Sequence, residues 1–161
     1  MNSIEEKMME KGISQEEKGA HYRKLENAYY TSPNNIFYSP KLKISEGHAE
    51  VSFPILKKHY HFFGAAHGAI YFKALDDAAF FSANSLEFQK ILLTSNLNVY
   101  LSRPIKEGQV KAMGKVVNRT KSTFLAEALL YDSNNKIIAK GIGSFVKSQR
   151  LLSEVEGYKL D

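Results

Sequence analysis

The hydrophobic rhythm of the chain changes several times, and each change marks an element. Over residues 1–31 charged side chains dominate at helical spacing, with a weak stripe of Ala20, Lys24, Leu25 and Ala28. Ser14 followed three residues later by Glu17 forms a candidate capping box, and Ser32-Pro33-Asn34-Asn35 stops the helix after Tyr29-Tyr30. The segment predicts a docking helix rather than a catalytic element. Residues 36–44 and 48–54 then follow a period of two. Leu42, Ile44, Ala49 and Val51 alternate with Lys41, Lys43 and Glu50 around Ser45-Glu46-Gly47, as in a hairpin. From Gly68 to about Ser85 nearly every position is apolar, which predicts a helix buried on most sides. Period two returns with Leu97, Val99 and Leu101 alternating with Asn96, Asn98 and Tyr100, and Arg103-Pro104 ends that strand. Residues 110–118, 123–131 and 136–147 complete four strands read as a meander, joined by hairpin-length turns at 119–122 and 132–135.

One architecture satisfies this order: an α+β fold in which an antiparallel sheet wraps a single long central helix and so buries it on most sides. The expected organisation is an N-terminal helical extension (1–33), one sheet-and-helix domain (34–150) and a surface tail (151–161). A length of 161 residues, 43% hydrophobic and 24% charged, fits one globular domain. The absence of cysteine excludes disulfides and thiolate chemistry. The first residues carry no apolar signal-like region, and the most apolar stretch, 62–83, contains Lys73, Asp76 and Asp77, so no membrane span and a cytoplasmic location are expected. The net charge of +5 suits a polyanionic partner, yet the lysines are scattered without a basic helix or a nucleic-acid motif. No nucleic-acid partner is expected, whereas a small phosphorylated ligand would use the surplus equally well.

The chemistry concentrates in HYHFFGAAHGAIYFKALDDAAFF, residues 59–81. An ionised carboxylate in an apolar setting costs several kcal/mol or more unless paired or solvated. Lys73 stands four residues before Asp77 and can pair with it across one turn. Asp76 has Phe72 and Phe80 at its four-residue neighbours and no such partner. Just before the helix, Gly64-Ala65-Ala66-His67-Gly68 is a small-residue loop, and the helix start presents free N–H groups that can hold an anion or a developing oxyanion. Three histidines (His59, His61, His67) fall within nine residues, but no cysteine or second carboxylate set completes a metal site, so no metal and no cofactor are expected. His59 reads as a surface residue, His61 as a loop histidine packing on Phe62 or Tyr60, and His21 and His48 stand alone.

His67-Gly68-Ala69 with Asp76 nine residues after the histidine, then Thr94 and Leu97-Asn-Val-Tyr-Leu-Ser-Arg-Pro-Ile-Lys-Glu-Gly108, resembles the hotdog-fold acyl-CoA thioesterases of the PaaI-like branch. Ala83-Asn84-Ser85 and Lys136-Ile-Ile-Ala-Lys-Gly141 add to the likeness, which spans residues 36–147. The resemblance implies hydrolysis of an acyl-CoA thioester, with Asp76 as general base or nucleophile, Thr94 helping to position water, and the Gly68 N–H polarising the carbonyl. His61 and His67 join the catalytic set, and Ala69, Phe80, Arg103, Arg119 and Lys121 the substrate contacts. It also implies a homodimer, or a dimer of dimers, with Asp76 facing the other subunit. Ala69 replaces the second glycine of the family's His-Gly-Gly, and His61 stands where the family has Asn or Gln. His61-Phe-Phe-Gly64 is also similar to the His-Phe-x-Gly opening of hotdog-fold hydroxyacyl-thioester dehydratases, which pair a loop histidine with a helix acid. A non-catalytic acyl-CoA or lipid-binding hotdog protein is the third reading.

Overall fold

The computed structural model describes residues 12–160; expectations for residues 1–11 lie outside the described residues. The capping box at Ser14 is present. The Glu17 amide donates to Ser14 Oγ at 3.2 Å and the Ser14 amide donates to Glu17 Oε2 at 2.7 Å, which starts α1 (Gln15–Tyr30). The expected first strand begins later than the alternation suggested. A one-turn helix, α2 (Asn35–Tyr38), comes first, tied to α1 by Asn35 Nδ2 donating to the Tyr29 carbonyl at 2.6 Å. Ser39, in the left-handed region at φ 51°, then turns the chain into β1 (Lys41–Ser45). β1 and β2 (His48–Pro54) form the predicted hairpin, with Leu42, Ile44, Ala49 and Val51 inside.

The apolar run is α3 (Gly68–Asn84), and the sheet wraps it as expected. Ala74, Leu75, Ala78, Ala79 and Ala83 of α3 are wholly buried, and the four alanines let the helix lie close to the strands. Gly114 in the sheet marks the closest approach: a Cβ there would stand 2.0 Å from the Ala78 carbonyl oxygen. The remaining strands are β3 (Lys90–Leu101), β4 (Gln109–Arg119), β5 (Thr123–Tyr131) and β6 (Ile137–Leu151). Their order is β1-β2-β4-β5-β6-β3, all antiparallel. This corrects the four-strand meander: β4, β5 and β6 form one, but β3 leaves the end of α3 on the far side of the sheet and pairs with β6. β3 is therefore an edge strand of 12 residues, and Leu93, Tyr100 and Leu101 on it are exposed. Its register slips between Thr94 and Asn96, a bulge at Ser95.

The C-terminal residues are not a plain surface tail. Leu152 is buried, Tyr158 Oη lies 2.6 Å from His21 Nδ1, and Asn27 Nδ2 donates to the Lys159 carbonyl at 2.8 Å, so the segment is pinned to α1. His21 is thus not isolated; its Nε2 also meets the Asn84 carbonyl at 2.9 Å, and burial pushes its pKa down. His59 is likewise inside rather than at the surface. Its Nδ1 accepts from the Leu56 amide at 3.2 Å and its Nε2 lies 3.3 Å from the Phe37 carbonyl. Among the described residues no helix is long and apolar enough to cross a membrane.

Candidate active site

One face of α3 carries Lys73, Asp76, Asp77, Phe80, Phe81 and Asn84, the stripe that helical spacing produces. Asp77 is buried and partnered through one oxygen: Lys73 Nζ stands 2.5 Å from Oδ2, and Tyr29 Oη donates to the same oxygen at 2.6 Å. The Lys73 ammonium also lies over the Tyr29 and Tyr38 rings, 5.0 and 5.5 Å from their centres. Burial drives the Asp77 carboxyl pKa up, opposed by Lys73 and Tyr29. The same burial, with the acid next to it, drives the Tyr29 phenol up. Asp77 is accounted for by the Lys73 pair, as the spacing predicted; Tyr29 is an addition that the sequence did not signal.

Asp76 has a different environment. It is half-buried, it lines a cavity of about 300 Å³ between α3, α1, β3 and the C-terminal segment, and Thr94 Oγ1 donates to its Oδ1 at 3.1 Å. Among the described residues that hydroxyl is its one hydrogen-bond partner. Burial raises its pKa; the Thr94 hydrogen bond and Lys73 pull it down, and Asp77 adds to the rise. The Ser95 bulge explains how Thr94 reaches it. Counted back in twos from Leu97 and Val99, Thr94 would fall on the other face of β3, and the extra residue returns it to the helix side. The structure therefore brings Asp76 and Thr94 together, with Phe80 beside them in the cavity wall.

The helix start builds a second cavity, of about 320 Å³, lined by His61, Gly68, Tyr71, Leu101 and Arg103 among others. His67 caps α3: its Nδ1 accepts from the Ala69 amide at 3.0 Å, so that N–H is used within the turn. The Gly68 N–H has no hydrogen-bond acceptor among the described residues and is free to donate. Tyr71 Oη accepts from the Ile105 amide at 2.9 Å and donates to the Arg103 carbonyl at 3.0 Å, which holds the β3 exit against the helix start. His61 Nδ1 accepts from the Phe63 amide at 3.1 Å, and Phe62 and Phe63 stand exposed on the tip of that loop.

Two expected groupings are not found within one chain. Gly68 and Asp76 are eight residues apart, roughly 12 Å along the helix, and they open on different cavities. The basic residues also divide. Arg103 follows the C-terminal end of β3, beside Gly68, whereas Arg119 and Lys121 lie at the β4–β5 turn, the opposite end of the sheet. The Arg119 guanidinium lies over the Phe124 ring, 5.6 Å from its centre. Spacing along the chain cannot show which end of a strand faces which. Among the described residues no three metal-ligating side chains group together.

Comparison with known proteins bears on the family and the fold. Residues 63–139 match the Thioesterase superfamily. A protein of Sulfurisphaera tokodaii, provisionally named an esterase, is 31% identical over 101 residues, covering 63% of this chain and 75% of that protein. A second provisional esterase, from Saccharolobus solfataricus, is 26% identical over 114 residues, 71% of this chain and 76% of that one. Among solved structures, the PaaI protein of the E. coli phenylacetic acid degradation operon superposes with a TM-score of 0.76 at 16% identity, covering 83% of this chain and 97% of that chain. A Haemophilus influenzae thioesterase superposes at 0.68 and 15% identity, covering 74% and 85%. Sheet order, wrapped helix and sequence match lead to one assignment: the chain belongs to the thioesterase superfamily and has the hotdog fold.

Proposed function

We propose that the protein hydrolyses an acyl-CoA thioester to the free acid and the CoA thiol, with Asp76 as the general base. The observation that carries this reading is the Asp76–Thr94 pair: a half-buried carboxylate, hydrogen-bonded at 3.1 Å on one oxygen and open to a cavity. Its raised pKa makes it a better proton acceptor near neutral pH than an ordinary aspartate. Water held between Asp76 and Thr94 loses a proton to Asp76 while its oxygen attacks the thioester carbonyl. The oxyanion that forms is stabilised by the free N–H of Gly68 and the positive end of α3. Collapse expels the thiolate, which takes the proton back from Asp76.

The two act in one site from two chains, a reading that their separation within one chain supports. A second copy, joined through the exposed edge of β3, would bring its helix start to this chain's Asp76. The test is thiol release from a panel of acyl-CoAs. Asp76→Asn is expected to lose about 10²–10⁴-fold in turnover; unchanged turnover would refute the assignment.

A further inference from the structure

The stripe that carries Asp76 continues for two more turns. Lys73, Asp76 and Asp77 mark one end of its cavity, Phe80 and Phe81 the middle and Asn84 the far end. The opposite wall is not part of the residues that match the superfamily, 63–139: it comes from α1 through Leu25 and Ala28, and from the C-terminal segment through Leu152, Val155 and Tyr158. We propose that this cavity is the acyl subsite. The acyl group lies along α3 with its carbonyl at Asp76 and its tail toward Asn84, and the two terminal segments set the length admitted. The proposal rests on the hydrolase reading of Asp76.

Polarity along the cavity fits that orientation. Charge is confined to the Asp76 end, and the side chains beyond it are apolar or already satisfied. Asn84 Nδ2 donates to the Phe80 carbonyl at 3.0 Å and its Oδ1 accepts from the Leu92 amide at 3.2 Å, while Tyr158 Oη is paired with His21. A hydrocarbon tail arriving there strips water from no unpaired polar group, so it incurs little of the desolvation cost that a polar lining would impose. Size gives the class. Asp76 to Asn84 spans eight residues, roughly 12 Å of helix, about the length of an eight- to ten-carbon extended chain. The 300 Å³ volume, at roughly 30 Å³ per non-hydrogen atom, holds about the same number. A medium-chain or aryl-acyl group meets both limits, and a long-chain acyl group meets neither.

The far wall is fixed rather than adaptable. Gly157 has φ 77°, and a Cβ there would stand 2.5 Å from Thr31 Cγ2 and 3.1 Å from Ala28 Cα, so only glycine lets the C-terminal segment press onto α1. The Asn27 and His21 hydrogen bonds hold it in place. A wall so held measures length instead of yielding to it.

The experiment measures kcat/KM over a straight-chain acyl-CoA series from acetyl to palmitoyl, with Ala28→Phe and Phe80→Ala, alongside the rise in melting temperature that decanoate gives each protein. The wild type is expected to peak at medium chains. Ala28→Phe should lower kcat/KM on decanoyl-CoA at least about tenfold more than on butyryl-CoA, and Phe80→Ala should move the optimum to longer chains. Variants that scale the whole series evenly would overturn the subsite. If Ala28→Phe does not fold, Val155→Phe blocks the same cavity from the other segment. A wild type that releases no thiol from any substrate, yet binds decanoate in a manner abolished by Ala28→Phe, defeats the hydrolase reading and keeps the pocket. Failure of the wild type to bind decanoate, with a flat series, removes the pocket.

Discussion

Asp76 and Asp77 are consecutive residues on one helix, and their surroundings differ. Asp77 is held through Oδ2 by Lys73 and Tyr29, at 2.5 and 2.6 Å. Asp76 keeps one oxygen free and has its pKa raised by burial, with Thr94 as a restraint on that rise. This yields a signed prediction for Thr94→Val. The hydrogen bond from Thr94 favours the charged form, so its removal lifts the Asp76 pKa further. A base must be deprotonated to work; the acid limb of the kcat/KM profile in the variant is therefore expected to move to higher pH. An unshifted limb with lower kcat would mean that Thr94 touches the water and does not tune the carboxylate. The sequence singled out Asp76 by what it lacked, an i±4 partner. It could not assign Thr94 by counting, because the Ser95 bulge breaks the parity that counting relies on.

At the scale of elements, α1 is attached to α3 through chemistry as well as packing. Tyr29 reaches the Asp77–Lys73 pair, its ring meets Phe81 edge-on at 5.1 Å, and His21 touches the last turn of α3. Lys73→Met would leave Asp77 buried without its cation and is expected to cost about 3 kcal/mol. Tyr29→Phe, which removes one hydrogen bond to a group still paired with Lys73, should cost about 1.5 kcal/mol. Urea denaturation measures both. Asp77's folded pKa lies above the unfolded value, so the folded state holds its proton more tightly and stability falls as pH rises through that interval. The Lys73→Met deficit should consequently shrink on acidification; a deficit independent of pH would contradict a buried, uncompensated carboxylate. Strong local signals made most elements legible: the Ser14 cap, the period of two in β1 and β2, and the apolar run of α3. The docking of residues 152–158 was not, because Leu152 and Tyr158 are single anchors with no period around them. The place of β3 was hidden for a related reason: strand order depends on where a helix delivers the chain, and local pattern does not contain it.

For the whole molecule, the proposed sharing of the site between two chains can be tested without a structure of the dimer. Gly68→Pro removes the free N–H at the first helical position, where proline is well tolerated. His67 already has the extended conformation that a residue before proline prefers, φ −64° and ψ 147°. Gly68→Pro and Asp76→Asn are each expected to be inactive alone. Mixed one to one and allowed to exchange subunits, half of the dimers carry one intact site, so about a quarter of wild-type activity should return. No recovery, with exchange verified by mass, would place both groups in a site built by one chain.

On the proposed sharing of the site, the separation of Gly68 from Asp76 along α3 also bears on genetics. A single Asp76→Asn subunit paired with a wild-type one still donates its Gly68, and the wild-type Asp76 keeps one working site. A subunit bearing both Asp76→Asn and Gly68→Pro spoils each site of the same pair: it brings no base to one and no N–H donor to the other. Two lesions that are recessive when separate become dominant when they share a chain, a pattern of inheritance dictated by two turns of helix.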